Sequence, residues 1–166
     1  MEFDDMTIRE YQHTDKEKCL AVFDSNFPKF FDKEEREPFI KWLDHQADNG
    51  IVYESPAYKN AEKDAYYVIE IPGTGIIGCG GFYILKDLKE ARLAWGMIHA
   101  DFHKQGYGKA LYNHRKEIIN KDWPHHSITL GTSQHTYSFY QKMGMKVLDT
   151  IKAGYGPDLD RYDMKL

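Results

Sequence analysis

Between Ala65 and His99 the chain carries three strand-like runs joined by very short links, and this spacing limits its fold more than any other feature. Ala65 to Ile71 is the first run, Ile76 to Leu85 the second and Ala91 to His99 the third, with Leu93, Trp95 and Met97 alternating along the last. Pro72-Gly73-Thr74-Gly75 is turn chemistry, and Asp87 to Glu90 is a charged connection. A parallel crossover takes about a dozen residues or more, so these runs are expected to form an antiparallel meander.

Helical patterns flank the meander. Thr7 to Tyr11 reads as a short first strand. Thr14 or Asp15 suits the cap of a helix running to about Asn26, with Leu20, Val22 and Phe23 on its apolar side, and Pro28 ends it. A second helix is predicted over Lys33 to Asp48, with Phe39, Ile40, Trp42 and Leu43 towards one side and Asn49-Gly50 as its stop. After the polar loop Asp101 to Tyr107, Gly108 to Asn120 reads as a helix with Leu111, Tyr112, Ile118 and Ile119 on a common side. Ser127 to Leu130 is a short strand, and His135 to Met143 is a helix that Gly144 terminates. Lys146 to Ile151 and Arg161 to Leu166 are final strands, connected through Gly154-Tyr155-Gly156-Pro157-Asp158. The predicted class is α/β: a mixed, mostly antiparallel central sheet of about six or seven strands flanked by about four helices. The 166 residues suit one domain, 1-166.

Several function classes are disfavoured. With 42% hydrophobic and 29% charged residues the chain is expected to fold rather than stay disordered. The net charge of -4, with both signs interspersed, offers no clustered basic surface, so no nucleic-acid partner is expected. The two cysteines, Cys19 and Cys79, lie far apart, and His125 and His126 would point to opposite faces of a strand, so no metal is expected. The start, Met1 to Met6, is acidic and lacks a signal peptide's basic and apolar regions. No run approaches a membrane span, so no membrane partner is expected and a cytoplasmic location is the default.

The segment most informative about chemistry is His103-Lys104-Gln105-Gly106-Tyr107-Gly108-Lys109-Ala110-Leu111, which follows a strand and opens a helix. Gly106 and Gly108 remove side chains where backbone must approach a ligand, and the N–H groups at a helix start suit a pyrophosphate. Lys104 and Lys109 are placed to add positive charge. A tight turn that binds nothing is the competing reading. The Gly-Lys-Ser/Thr of a P-loop and the third glycine of a dinucleotide fingerprint are both missing.

The segment resembles the GNAT superfamily of acyl-CoA-dependent N-acyltransferases, whose signature is Arg/Gln-x-x-Gly-x-Gly/Ala between the fourth strand and the next helix. Gln105-Gly106-Tyr107-Gly108-Lys109-Ala110 fits the letters in one register. Taking Gly106 and Gly108 as the motif glycines fits the family's helix opening better, and puts His103 where Arg or Gln is usual. Leu93-Ala94-Trp95 through Ile98-His99 is similar to the family's fourth strand. Ser133 through Met145 is similar to its late motif Asn-x-x-Ala-x-x-Phe-Tyr-x-x-x-Gly-Phe, with Tyr140 and Gly144 matching and Ser133, Thr136 and Met145 departing.

The resemblance implies a sheet splayed between its fourth and fifth strands and acetyl-CoA as co-substrate. It implies cofactor contacts from Met97, Ile98, His99, His103, Lys104, Gln105, Gly106, Tyr107, Gly108, Lys109, Ser133 and Tyr140. Tyr140 is implied as the hydroxyl that protonates the leaving sulfur; a core aromatic on an amphipathic helix is the alternative. Family members often carry a Glu early in the fourth strand, and spacing from Gly106 puts Arg92 there. Arg is no general base at neutral pH. The carboxylates left are Glu90, which shares the face of Arg92 if the strand continues back to it, and Glu70 on a neighbouring strand, each alternatively a solvated charge. Acceptor clefts of the family are lined by the early helices and the last interstrand link, which here hold Phe27, Phe30, Phe31, Trp42, Tyr155 and Asp158.

The expected function is therefore an N-acetyltransferase that moves an acetyl group from acetyl-CoA to a primary amine of a small-molecule or peptide acceptor, with a homodimer left open. A non-catalytic acyl-CoA-binding or sensing module is the alternative that Arg92 keeps in play. An interaction domain with a glycine turn is a third.

Overall fold

The computed structural model describes residues 5–166, so most of the acidic start read at Met1 to Met6 lies outside the described residues. The strands are β1 (Thr7–Glu10), β2 (Lys63–Ile71), β3 (Gly75–Leu85), β4 (Glu90–Ile98), β5 (Ser127–Thr132), β6 (Lys146–Gly156) and β7 (Leu159–Lys165). The helices are α1 (Lys16–Ser25), α2 (Arg36–Ala47), α3 (Tyr107–Asp122) and α4 (Tyr137–Lys142). One seven-stranded sheet runs in the order β1-β2-β3-β4-β5-β7-β6. Its neighbours are antiparallel except β4 and β5, which are parallel and joined by the α3 crossover.

The β4–β5 pairing is short. Glu90 faces Ser127, Ala91 faces Ile128 and Arg92 faces Thr129, and no pair follows. Past Arg92 the two strands part, which is the expected splay.

Alternation along β3 divides the core between the two faces. Cys79, Tyr83 and Leu85 pack with Phe23 of α1 and with Phe39, Trp42 and Leu43 of α2. Phe82 and Ile84 pack with Tyr112 and Ile119 of α3. Cys19 and Cys79 are free thiols in the first layer, both fully buried. Hydrogen bonding to Cys79, together with burial, pushes the Cys19 thiol far above its ordinary range. Arg115 of α3 is also buried, and its guanidinium donates to the carbonyls of Gly81 (3.2 Å) and Leu111 (3.3 Å).

The stretch from 48 to 62 holds no helix or strand and is pinned by side chains. His45 of α2 sets one ring nitrogen 2.5 Å from the Ile51 carbonyl and the other 2.8 Å from Asp64 Oδ2. The Tyr58 hydroxyl donates to the same carboxylate.

Several boundaries shift by one or two residues, and two differ in kind. Gly154 to Gly156 continue β6 rather than connecting it to β7, and Gly156 pairs with Leu159. A register irregularity between Ile151 and Gly156 absorbs the left-handed Ala153 (φ 55°), so the glycines sit in a bulged hairpin and not in a loop. At the other end, Lys33–Glu35 is a 3₁₀ turn and α2 begins at Arg36. Asp32 caps that turn: its side chain accepts from Glu34 N (3.0 Å) while Asp32 N donates to Glu35 Oε2 (2.8 Å). Among the described residues no helix is long and apolar enough to cross a membrane, and no cluster of His, Cys, Asp or Glu has metal-holding geometry.

Candidate active site

The splay is built by a bulge in β4. Cys79 pairs with Met97 but Gly81 pairs with Ala94, so Trp95 and Gly96 together oppose the single residue Gly80. Trp95 takes a left-handed conformation (φ 50°), and the Tyr66 hydroxyl donates to its carbonyl at 2.7 Å. A cavity of about 600 Å³ opens where β4 turns away from β5. Arg92 to Ile98 form one wall, Gly106, Gly108 and Lys109 the entrance to α3, and Ser138 to Tyr140 the α4 side.

Gly106 is the N-cap of α3 at φ 91°, with no side chain hydrogen-bonded into the cap and no acidic residue in the first turn. The N–H groups of Gly108 and Lys109 therefore lack an intrahelical acceptor and point with the positive end of the helix dipole. This is the geometry that receives a pyrophosphate, and the residues present fit CoA. Tyr140 stands across the cavity, its ring 6.2 Å from Tyr112 and 5.0 Å from Phe139.

At the opposite end, Phe31, Tyr53, Tyr83, Trp95 and Tyr155 form an aromatic wall. Burial pushes Tyr83 up to about 12, and raises Tyr53 and Tyr155 too. Arg92 reaches this end, with Nη2 3.8 Å from Asp163 Oδ1. Among the described residues Glu35 is the one carboxylate that lines the cavity, and burial pushes it up to about 7.

A model of the GNAT acetyltransferase domain matches residues 62–147, more than half of the chain. The chain belongs to the GNAT acetyltransferase family. No curated protein matches it. Its fold is shared with a protein from Desulfovibrio desulfuricans assigned to the GNAT family (TM-score 0.74, 16% identity, 97% of this chain and 98% of that one). It is shared with the ribosomal-protein-S18-alanine N-acetyltransferase of Escherichia coli (TM-score 0.70, 17% identity, 97% and 92%). A mutant form of the spermidine N-acetyltransferase SpeG of Vibrio cholerae is similar too (TM-score 0.69, 15% identity, 98% and 93%).

Of the residues expected at a GNAT site, Met97, Ile98, His103, Lys104, Gly106, Gly108, Lys109, Ser133 and Tyr140 line the cavity. His103 stands at the usual Arg or Gln position and turns its Nε2 back to the Ile98 carbonyl at 2.8 Å. His99, Gln105 and Tyr107 do not line it. His99 Nδ1 accepts from Asp101 N (3.1 Å), Gln105 donates to the Asp101 carbonyl (3.3 Å), and Tyr107 is buried beside Ile69 and Ile77.

The two carboxylates considered for the base lie elsewhere. Glu70 is held by Arg9 Nε at 3.0 Å on β2, and Glu90 lines a separate hollow with Leu85, Asp87 and Leu88. Phe30, Phe31 and Tyr155 do line the cavity, whereas Phe27, Trp42 and Asp158 do not. Trp42 is a core residue, edge-on to Tyr53 and Tyr58. Glu35 escaped the sequence reading; its only local signal is the Asp32-x-x-Glu35 capping spacing, which aims a Glu back over its own turn.

Proposed function

We propose that this GNAT protein transfers the acetyl group of acetyl-CoA to a primary amine borne by a small molecule or a peptide. The observation that carries the reading is that the start of α3, which no side chain caps, and the Tyr140 ring open onto one cavity at the β4–β5 splay. The amides of Gly106, Gly108 and Lys109 hold the pyrophosphate, with Lys104 adding charge. The thioester lies along the splayed end of β4, where a backbone N–H near Ile98 supports the carbonyl oxygen as it turns negative. The amine nitrogen bonds to the carbonyl carbon, the carbon–sulfur bond breaks, and Tyr140 protonates the departing sulfur. The E. coli and V. cholerae neighbours are named for transfer to an alanine amine and to spermidine, which supports an amine acceptor here. The same reading takes 1-166 as one acyltransferase domain in the cytoplasm, as a monomer or homodimer.

The test is release of free thiol from acetyl-CoA with a panel of amines. Thiol release tied to one amine class supports transfer. CoA binding without release for any amine supports the sensing module instead.

Glycine substitutions test the phosphate seat separately. Gly106→Val should weaken CoA binding by roughly 10–100-fold, the equivalent of one lost hydrogen bond to a charged group. Gly73, also at positive φ (78°) but in the β2–β3 turn with open space around it, supplies the control. Gly73→Val carries similar backbone strain and should leave CoA affinity unchanged in titration calorimetry. Unchanged affinity in a folded Gly106→Val variant removes this loop from the binding site.

A further inference from the structure

We infer that Glu35 accepts the proton of the acceptor's ammonium group, so that the base of this acetyltransferase stands on the turn before α2 rather than on the sheet. The inference rests on the acetyl-transfer reading above and names the group that makes the amine reactive.

The geometry begins with the capping turn. Asp32 N donates to Glu35 Oε2 at 2.8 Å, which fixes the carboxyl group through one oxygen. Oε1 makes no hydrogen bond among the described residues. Capping alone does not call for burial, and the neighbours Lys33 and Glu34 on the same turn are exposed. Glu35 is half-buried where the β6–β7 hairpin meets the turn: a side chain at Gly156 would collide with the Asp32 carboxylate. The next residue back, Tyr155, comes close enough for its hydroxyl to feel the Glu35 charge. The two ends of the chain thus meet over one end of the cavity, with a carboxyl group between them.

The surrounding charges decide what that group can do. Asp32 on its own turn adds to the effect of burial in raising the Glu35 carboxyl. Tyr155 of β6, Tyr83 of β3 and Tyr53 of the 48–62 stretch share its wall, and all three are raised, so they remain phenols at neutral pH. Arg92 of β4 is a permanent cation leaning towards Asp163 of β7, which Arg161 also approaches at 3.2 Å. His103, His135, Lys104, Lys109, Lys142 and Arg115 also line the cavity, from the loop, α3 and α4. On the aromatic wall Glu35 is left as the group able to take up a proton near neutrality. At about 7 its carboxyl holds a proton more tightly than an ordinary one, which narrows the gap to an alkylamine at about 10.4. A general base works best when its pKa lies near the operating pH.

The substrate class follows: an alkylamine that arrives as R–NH₃⁺, drawn by the carboxylate and by aromatic rings. One N–H bond breaks and its proton passes to Glu35, leaving the lone pair to form the carbon–nitrogen bond. The carbon–sulfur bond breaks with its electron pair on sulfur. The second N–H proton lost as the amide forms balances the one the sulfur gains. Glu35 then releases its proton to water, so the sum is ammonium plus acetyl-CoA to amide, CoA thiol and one proton.

Glu35→Gln tests this cleanly, because Gln can accept from Asp32 N as Glu does at the same capping position. In the wild type, kcat/KM for an accepted alkylamine should rise with pH through about 7. In Glu35→Gln the rate should drop by about 10²–10⁴-fold and lose that limb, with CoA affinity unchanged. A fluorinated analogue of the same amine, neutral at pH 7, should recover most of the variant's loss. A Glu35→Gln profile that overlays the wild type overturns the assignment while acetyl transfer stands. Failure of the wild type to acetylate any amine overturns the transfer reading itself, and this inference with it.

A second readout needs no acceptor. A carboxyl whose pKa is higher folded than unfolded makes the folded state lose stability as pH rises from about 4.5 to about 7. Glu35→Gln should therefore gain Tm over the wild type across that window and hold the gain above it. A difference in Tm that does not change with pH shows an unperturbed carboxyl and counts against the assignment.

Discussion

Tyr140→Phe will lose about 10²–10⁴-fold in turnover while binding CoA as well as the wild type, the loss expected when one proton donor is removed from an otherwise intact site. The ring's position does not depend on its hydroxyl. Met143 N and Met145 N both donate to the Tyr140 carbonyl (3.1 and 3.0 Å), which pins the backbone at the end of α4. Tyr112 and Phe139 hold the ring by aromatic contact, and a phenyl group keeps both. Steady-state rates with an accepted amine, beside calorimetry with CoA, make the measurement. In the proposed mechanism the donor to sulfur and the acceptor from nitrogen are different groups, so the variant should keep the rise of rate through about pH 7 expected of Glu35. A fully active Tyr140→Phe enzyme would return this side chain to a packing role.

Gly81→Ala should be the most damaging single-methyl change in the sheet. A Cβ at position 81 would collide with the Ala65 carbonyl oxygen of β2 and sit 2.7 Å from the Tyr66 ring. The obstacle is backbone in the middle of the β2–β3 ladder, where Tyr66 pairs with Gly81, so a side-chain rotation cannot clear it. Moving β3 would also disturb the Gly81 carbonyl that accepts from the buried Arg115 guanidinium, leaving a charged donor short of a partner. Overpacking of this kind costs about 3 kcal/mol, which for a chain of this size lowers Tm by roughly 6–12 °C. A thermal melt within about 2 °C of the wild type, where 1 kcal/mol is worth about 2–4 °C, would mean that the sheet yields where the geometry says it is closed.

Local chemistry made the meander and the α3 entrance readable in advance. The turn residues between the runs act over a few positions, and so does a glycine pair before a helix. The alternation expected along Leu93, Trp95 and Met97 breaks at the β4 bulge, which leaves Leu93 in the α3 layer and Trp95 and Met97 in the layer of α1 and α2. The Gly154-Tyr155-Gly156 stretch misled because glycine marks a bulge as well as it marks a loop, and only pairing with Leu159 decides between them. The strand pattern placed Glu70 correctly, and β4 reaches back to Glu90, which was expected to end the charged connection. Residue parity cannot tell which strands part company, and the cavity opens past Arg92. Glu35 was hidden for a related reason. It sits among Lys33, Glu34, Arg36 and Glu37 in a run that looks uniformly solvated. What singles it out is a hairpin more than a hundred residues away that folds over it, a contact with no signature at either end.

The placement of the two thiols has a practical corollary for enzymology. Cys19 and Cys79 are the only sulfhydryls of the chain, and both are sealed between α1 and β3. Chromophoric disulfide reagents react with thiolates, and Cys19 is held far from that form. An assay that reports released CoA through such a reagent should therefore carry almost no background from the native enzyme. Colour that develops without acetyl-CoA would come from molecules that have opened, and its slope would clock unfolding in the same cuvette.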